Sequence, residues 1–75
     1  VNNITFGQHL RLLREKVNLT QEELASFLHI THQSISKWEN DQSLPSIDYC
    51  LPLAKVFKCS LDDLFKYLNP YDDEW

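Results

Sequence analysis

Backbone that must turn left-handed has almost no natural host in this chain, because 75 residues include a single glycine, Gly7. Three prolines add little turn chemistry, and no stretch sustains an alternation of apolar and polar residues. These shortages exclude a turn-rich β domain and point to an all-α fold. One glycine also excludes a glycine-rich phosphate loop. The two cysteines, Cys50 and Cys59, stand nine positions apart without a second pair, whereas zinc modules use closer pairs. Buried free thiols are the expectation, and His29 and His32 do not convert them into a metal set. His9, beside Leu10, has a ligand reading, but a lone histidine is more often a surface or core-edge group. No Ser/His/Asp set rises above chance at this length, so neither enzyme activity nor a cofactor is expected. No apolar run approaches a membrane span, and the opening Val-Asn-Asn-Ile-Thr-Phe lacks the basic and apolar regions of a signal peptide. A cytoplasmic location is the default.

Positive charge is also short. The formal net charge is -4, which counts against nucleic-acid binding when read as one number, since phosphate neutralisation supplies much of that affinity. Its distribution matters more. Three of the acids, Asp72, Asp73 and Glu74, fall in the last six residues, and residues 48 to 69 balance. Between Glu23 and Glu39 there is no acid at all. The acidity is therefore largely a property of the end of the chain.

What is present is organised around Thr20 to Asp41. Thr20, with Glu23 three positions on, forms a capping box, and Thr31 precedes His32 as a second N-cap signal. Leu24, Ala25 and Leu28 make an apolar face, and only a few residues remain to turn the chain before the next helix. That is helix-turn-helix geometry. If His32 to Asn40 is helical, Ile35 and Trp38 point one way, while His32, Gln33, Ser36, Lys37 and Asn40 span about 140° opposite them. Such a helix is anchored from behind and offers hydrogen-bonding groups outward, as entry into a major groove requires. An ordinary solvated face fits the same pattern, and periodicity alone leaves both readings open.

On either side, a first helix opens at Thr5 with Gln8 and runs to about Val17, with Phe6, Leu10, Leu13 and Val17 on one stripe and Leu12 off it. Asn18 suits a left-handed end. After the loop Gln42-Ser43-Leu44-Pro45, Ser46 caps a fourth helix whose buried face is expected to be Ile47, Cys50, Leu51, Ala54 and Phe57. Pro52 requires that helix either to kink or to start later. Ser60, with Asp63 in the capping-box position, opens a fifth helix with Leu61, Leu64, Phe65 and Leu68 inward. One small domain is expected over residues 1–69, near the lower limit for an unstapled core. Pro70 begins a separate stretch, 70–75, an acidic aromatic tail or the start of a linker.

From Phe6 to Phe65 the chain resembles the Cro/repressor type of helix-turn-helix domain, the XRE family. The matching words are Leu-Arg-Leu-Leu-Arg-Glu-Lys, Leu-Thr-Gln-Glu-Glu-Leu-Ala, Gln-Ser-Ile-Ser-Lys-Trp-Glu-Asn, Leu-Pro-Ser and Cys-Ser-Leu-Asp-Asp-Leu-Phe. The resemblance implies a compact five-helix, lambda-repressor-like domain that binds double-stranded DNA, with a palindromic operator and a homodimer. It implies base contacts from His32, Gln33 and Lys37, and phosphate contacts from Gln21, Ser34, Asn40 and Ser43. Arg14 and Glu39 match a pair that bridges the first helix to the end of the recognition helix, and Ile35 and Trp38 match its packing anchors. The chain departs from the family in carrying His29, Asp41 and Lys58 where glycine is frequent, and Phe27 where a polar residue is common. A protein-interaction module of the same fold, binding a toxin or an antirepressor and using the C-terminal tail, is the second expectation.

Overall fold

The computed structural model describes residues 4–66. They form five helices: α1 (Phe6–Lys16), α2 (Gln21–Leu28), α3 (His32–Glu39), α4 (Ile47–Phe57) and α5 (Leu61–Leu64). The expected positions of Leu68 and Pro70 lie outside the described residues.

Local chemistry accounts for most of the helix starts. At α1 the Thr5 hydroxyl accepts from the Gln8 N–H at 3.1 Å, and Gln8 Oε1 accepts from the Thr5 N–H at 3.0 Å. At α2 the same reciprocal pair joins Thr20 and Glu23, at 3.0 and 2.8 Å. Ser60 caps α5 through the Asp63 N–H, but only that half of the box forms. Asp is one methylene shorter than the Glu or Gln that makes the return bond. Thr31 and Ser46 also occupy N-cap positions, yet neither side chain bonds its helix. For these two, the expected side-chain cap is corrected to a backbone start.

The helix ends repeat one device. Asn18, His29, Asp41 and Lys58 all have left-handed backbone, with φ of 62°, 60°, 61° and 56°. Beyond each, an N–H reaches back to the last turn: Leu19 to Arg14 O, Ile30 to Ala25 O, Gln42 to Lys37 O and Cys59 to Ala54 O. This closes the otherwise unpaired carbonyls of the last turn. The described residues thus make four left-handed turns without glycine. Gly7 is spent elsewhere: a Cβ there would lie 2.5 Å from Glu39 O and 2.6 Å from Trp38 O. Glycine is needed at that position so that α1 can press against the end of α3.

The core draws on every element. Its five fully buried large side chains, Leu10, Leu24, Ile35, Leu53 and Leu64, come one from each helix. Each contributes about 1.5–3 kcal/mol by leaving water. Phe6, Ala25, Leu28, Trp38, Ala54 and Phe57 complete it, with Phe6 stacked on Phe65 at 6.2 Å. The expected faces of α1, α2 and α3 are present, and Leu12 is exposed as its position off the stripe implies. The face of α4 is corrected. Ile47 is 86% exposed and Leu51 54%, while Leu53 is fully buried. The helix is rotated so that Tyr49, Cys50, Leu53, Ala54 and Phe57 pack inward, a pattern equally compatible with a period of 3.6 residues. Pro52 does not delay the helix, since it lies inside α4 on the exposed side. Leu61 is likewise exposed, and α5 turns inward on Leu64 with Phe65 at its edge.

Candidate nucleic-acid interface

The eight residues of α3 separate into two faces. Ile35, Trp38 and Glu39 are buried; His32, Gln33 and Lys37 are exposed, and so is the C-cap Asn40. Ser34 and Ser36 are half-buried between them. Trp38 packs against Tyr49 with ring centroids 5.6 Å apart, so its indole holds α3 to α4 and is not available as a stacking platform for bases.

Glu39 is the hub that fixes this helix. Arg14 Nε donates to Glu39 Oε2 at 2.6 Å and Arg14 Nη2 to Oε1 at 3.1 Å, a two-point pairing of planar groups. The remaining arm, Arg14 Nη1, donates to Leu19 O at 2.7 Å. Arg11 lies 3.6 Å from the same carboxylate from its exposed position. The hydrogen bond to Glu39 raises the Arg14 pKa above its ordinary value, against the opposing effect of burial. Both partners are nearly inaccessible to solvent, which gives the pair a defined geometry.

Gln21, at the first position of α2, joins this hub: its Nε2 donates to Glu39 Oε1 at 3.0 Å. The amide keeps a second N–H for another acceptor. Asn40 Nδ2 donates to Ser36 Oγ at 3.3 Å, and Ser43 is exposed in the loop before α4. Thus His32, Gln33, Lys37 and Asn40 share one exposed helix surface, and Gln21 is tied to the far side of the same helix. Ser34 is half-buried, with its backbone N–H bonded to Thr31 O at 3.1 Å, and Ser43 is exposed.

Three contacts carry no signal in the sequence. Asp41 Oδ1 accepts from the Gly7 N–H at 2.9 Å, 34 residues away, and so caps α1, whose first turn has no acid of its own. His9 Nε2 donates to Asp63 O at 2.7 Å, joining α1 to α5. The Gln21–Glu39 bond is the third. None has a spacing rule, because each joins separate elements.

Residues 10–64 match the helix-turn-helix family. The transcriptional regulator DicA of Escherichia coli is 40% identical over 58 residues, covering 77% of this chain and 43% of its own. The transcriptional activator BcrR of Enterococcus faecalis is 37% identical over 59 residues, covering 79% of this chain and 29% of its own. The chain therefore spans less than half the length of either relative. Among solved structures, the P22 c2 repressor in complex with a synthetic operator superimposes with a TM-score of 0.75 at 30% identity, covering 81% of this chain and 92% of that one. Family match, five-helix architecture and the buried Arg14–Glu39 brace agree: the chain belongs to the XRE, or Cro/repressor-type, helix-turn-helix family.

Proposed function

We propose that this domain is the DNA-reading unit of a transcriptional regulator of bacterial or phage type, with α3 in the major groove of a specific duplex site. The observation that carries the reading is α3 itself, a helix whose exposed polar row is held from behind by buried Ile35, Trp38 and Glu39. Gln33 suits adenine through its amide, Lys37 donates to guanine acceptors, and His32 completes the row. Gln21, Ser34, Asn40 and Ser43 take phosphate oxygens, Gln21 using the N–H that Glu39 leaves over. Because α3 and α4 start without side-chain caps, the amides ahead of Ser34 and Tyr49, whose own N–H groups bond Thr31 O and Ser46 O, add further donors for phosphate. Such a regulator acts in the cytoplasm.

Selection of bound sequences from a random duplex pool, followed by a salt titration on the winner, tests the proposal. Affinity is expected to fall steeply with salt. Gln33→Ala is expected to cost about 1–3 kcal/mol and relax one base position. Lys37→Ala does the same if Lys37 reads a base, or lowers the salt slope by about 1 if it binds a phosphate. Binding indifferent to salt and to Gln33→Ala would refute the assignment.

A palindromic operator follows from a dimer, since one small module reads few base pairs. Support comes from an apolar surface where α4 meets α5: Ile47, Leu51, Leu61 and Phe65 line a groove of about 410 Å3. Ile47→Glu is expected to reduce dimer formation in sedimentation experiments and to weaken operator binding without unfolding the domain, because Ile47 is exposed.

A further inference from the structure

Phe27 is the only aromatic among the exposed large hydrophobics of the described residues, at 62% exposure. It borders a groove of about 540 Å3 walled by the C-terminal ends of three helices: Lys16 and Val17 at the end of α1, Phe27 on α2, and Lys55, Val56 and Lys58 at the end of α4. Three lysines rim this groove and no acid lines it. The ion pairs of the described residues use Arg11 and Arg14, not these lysines. Glu23 approaches Phe27 from a smaller neighbouring groove, but its carboxylate is committed to the Thr20 N–H. Lys58 occupies a left-handed position where glycine is less strained. An ammonium therefore stands at the groove despite a backbone cost.

An apolar floor with a cationic rim fits a segment that alternates aromatic rings with carboxylates. The chain carries one at Tyr71-Asp72-Asp73-Glu74-Trp75, with three acids against three lysines. We propose that residues 71–75 dock in the Phe27 groove of the same molecule, the acids facing Lys16, Lys55 and Lys58 and the aromatics covering Phe27. Reach is sufficient. Phe65 stacks on Phe6 at the start of α1, and the groove lies at the other end of that helix. Eleven residues of α1 span about 16 Å at 1.5 Å each. Residues 67–71, extended, cover about 17 Å. The other apolar groove, lined by Pro45, Ile47, Cys50, Leu51, Leu61 and Phe65, offers no cation. Charge therefore sends the acidic segment to Phe27 and leaves the α4/α5 surface for another copy.

Acrylamide quenching on the full chain tests this, because of the two tryptophans Trp38 is buried and quenching reports Trp75. Docking predicts that Trp75 is quenched more slowly than in the free peptide 70–75. That protection is expected to be lost in Phe27→Ser and in K16E/K55E/K58E, and regained when the charge-reversed rim is combined with D72K/D73K/E74K. It is expected to be unchanged on tenfold dilution. Trp75 quenched at the free-peptide rate in the parent chain, or equally in Phe27→Ser, would overturn the proposal. Protection that declines on dilution would overturn docking within one molecule and assign the groove to a second copy. Phe27 is exposed, and no described core residue belongs to the tail, so neither Phe27→Ser nor the tail variants remove packing from the fold.

Discussion

Asp41, His29 and Lys58 share one backbone conformation but not one role. All three close a helix with φ near 60° in place of the glycine frequent in this family. A side chain there costs on the order of 1 kcal/mol. At His29 and Lys58 the described hydrogen bonds run through the backbone alone, so His29→Gly and Lys58→Gly are each expected to stabilise the fold by about 0.5–1 kcal/mol, read as a rise in the urea midpoint. At Asp41 the carboxylate also caps α1 through the Gly7 N–H. Asp41→Gly removes a cap worth about 1 kcal/mol, and its urea midpoint is expected to stay level or fall. From sequence, Asp41 reads only as a departure from glycine. Its partner lies 34 residues away, and no local rule connects them.

At the scale of elements, α3 is set by its neighbours more than by its own residues. Four groups converge on Glu39 or its immediate backbone: Arg14, Arg11, Gln21 and the glycine surface of Gly7. Replacing Glu39 with Ala strands the Arg14 guanidinium in a buried site. Breaking a buried pair in this way costs about 3–5 kcal/mol. Glu39→Ala is therefore expected to unfold at much lower urea than Lys37→Ala, although both residues lie on the same helix. The face of α4 shows the opposite limit. Ile47 and Leu51 are as apolar as Leu53, and their spacing is equally helical, so periodicity offered two faces of similar quality. Packing against α5, α1 and α2 selects between them, which the residues of α4 alone do not express.

For the whole molecule, a small core and two half-buried thiols make stability sensitive to alkaline pH. Burial pushes the Cys50 and Cys59 thiols above their ordinary range, and Asp63 adds to this at Cys59. A folded pKa above the unfolded one means that the folded state holds the proton more tightly. The resulting stabilisation is complete below the unfolded thiol value of about 8.5 and is lost as pH rises through the folded value. Between pH 8 and 10 the parent chain is expected to lose more stability than a Cys50→Ser, Cys59→Ser double variant, measured as the difference between their urea midpoints. The thiols are also expected to alkylate more slowly at pH 8 than a free small thiol.

Sequence by itself determined the all-α class, the helix order, the side-chain caps Thr5, Thr20 and Ser60 out of five expected, the split of α3 into a held face and an offered face, and the Arg14–Glu39 pair implied by resemblance. These are local properties: a cap is a three-residue relation and an amphipathic face is a short period, so both can be read along the chain. Tertiary structure alone decided that Asp41 caps α1, that Gln21 shares Glu39 with Arg14, that Leu53 rather than Ile47 faces the core, and that the ends of α1 and α4 bring three lysines around Phe27. Each depends on where two distant segments meet. That position follows from the joint packing of one large side chain from each of five helices, a condition that no single segment contains.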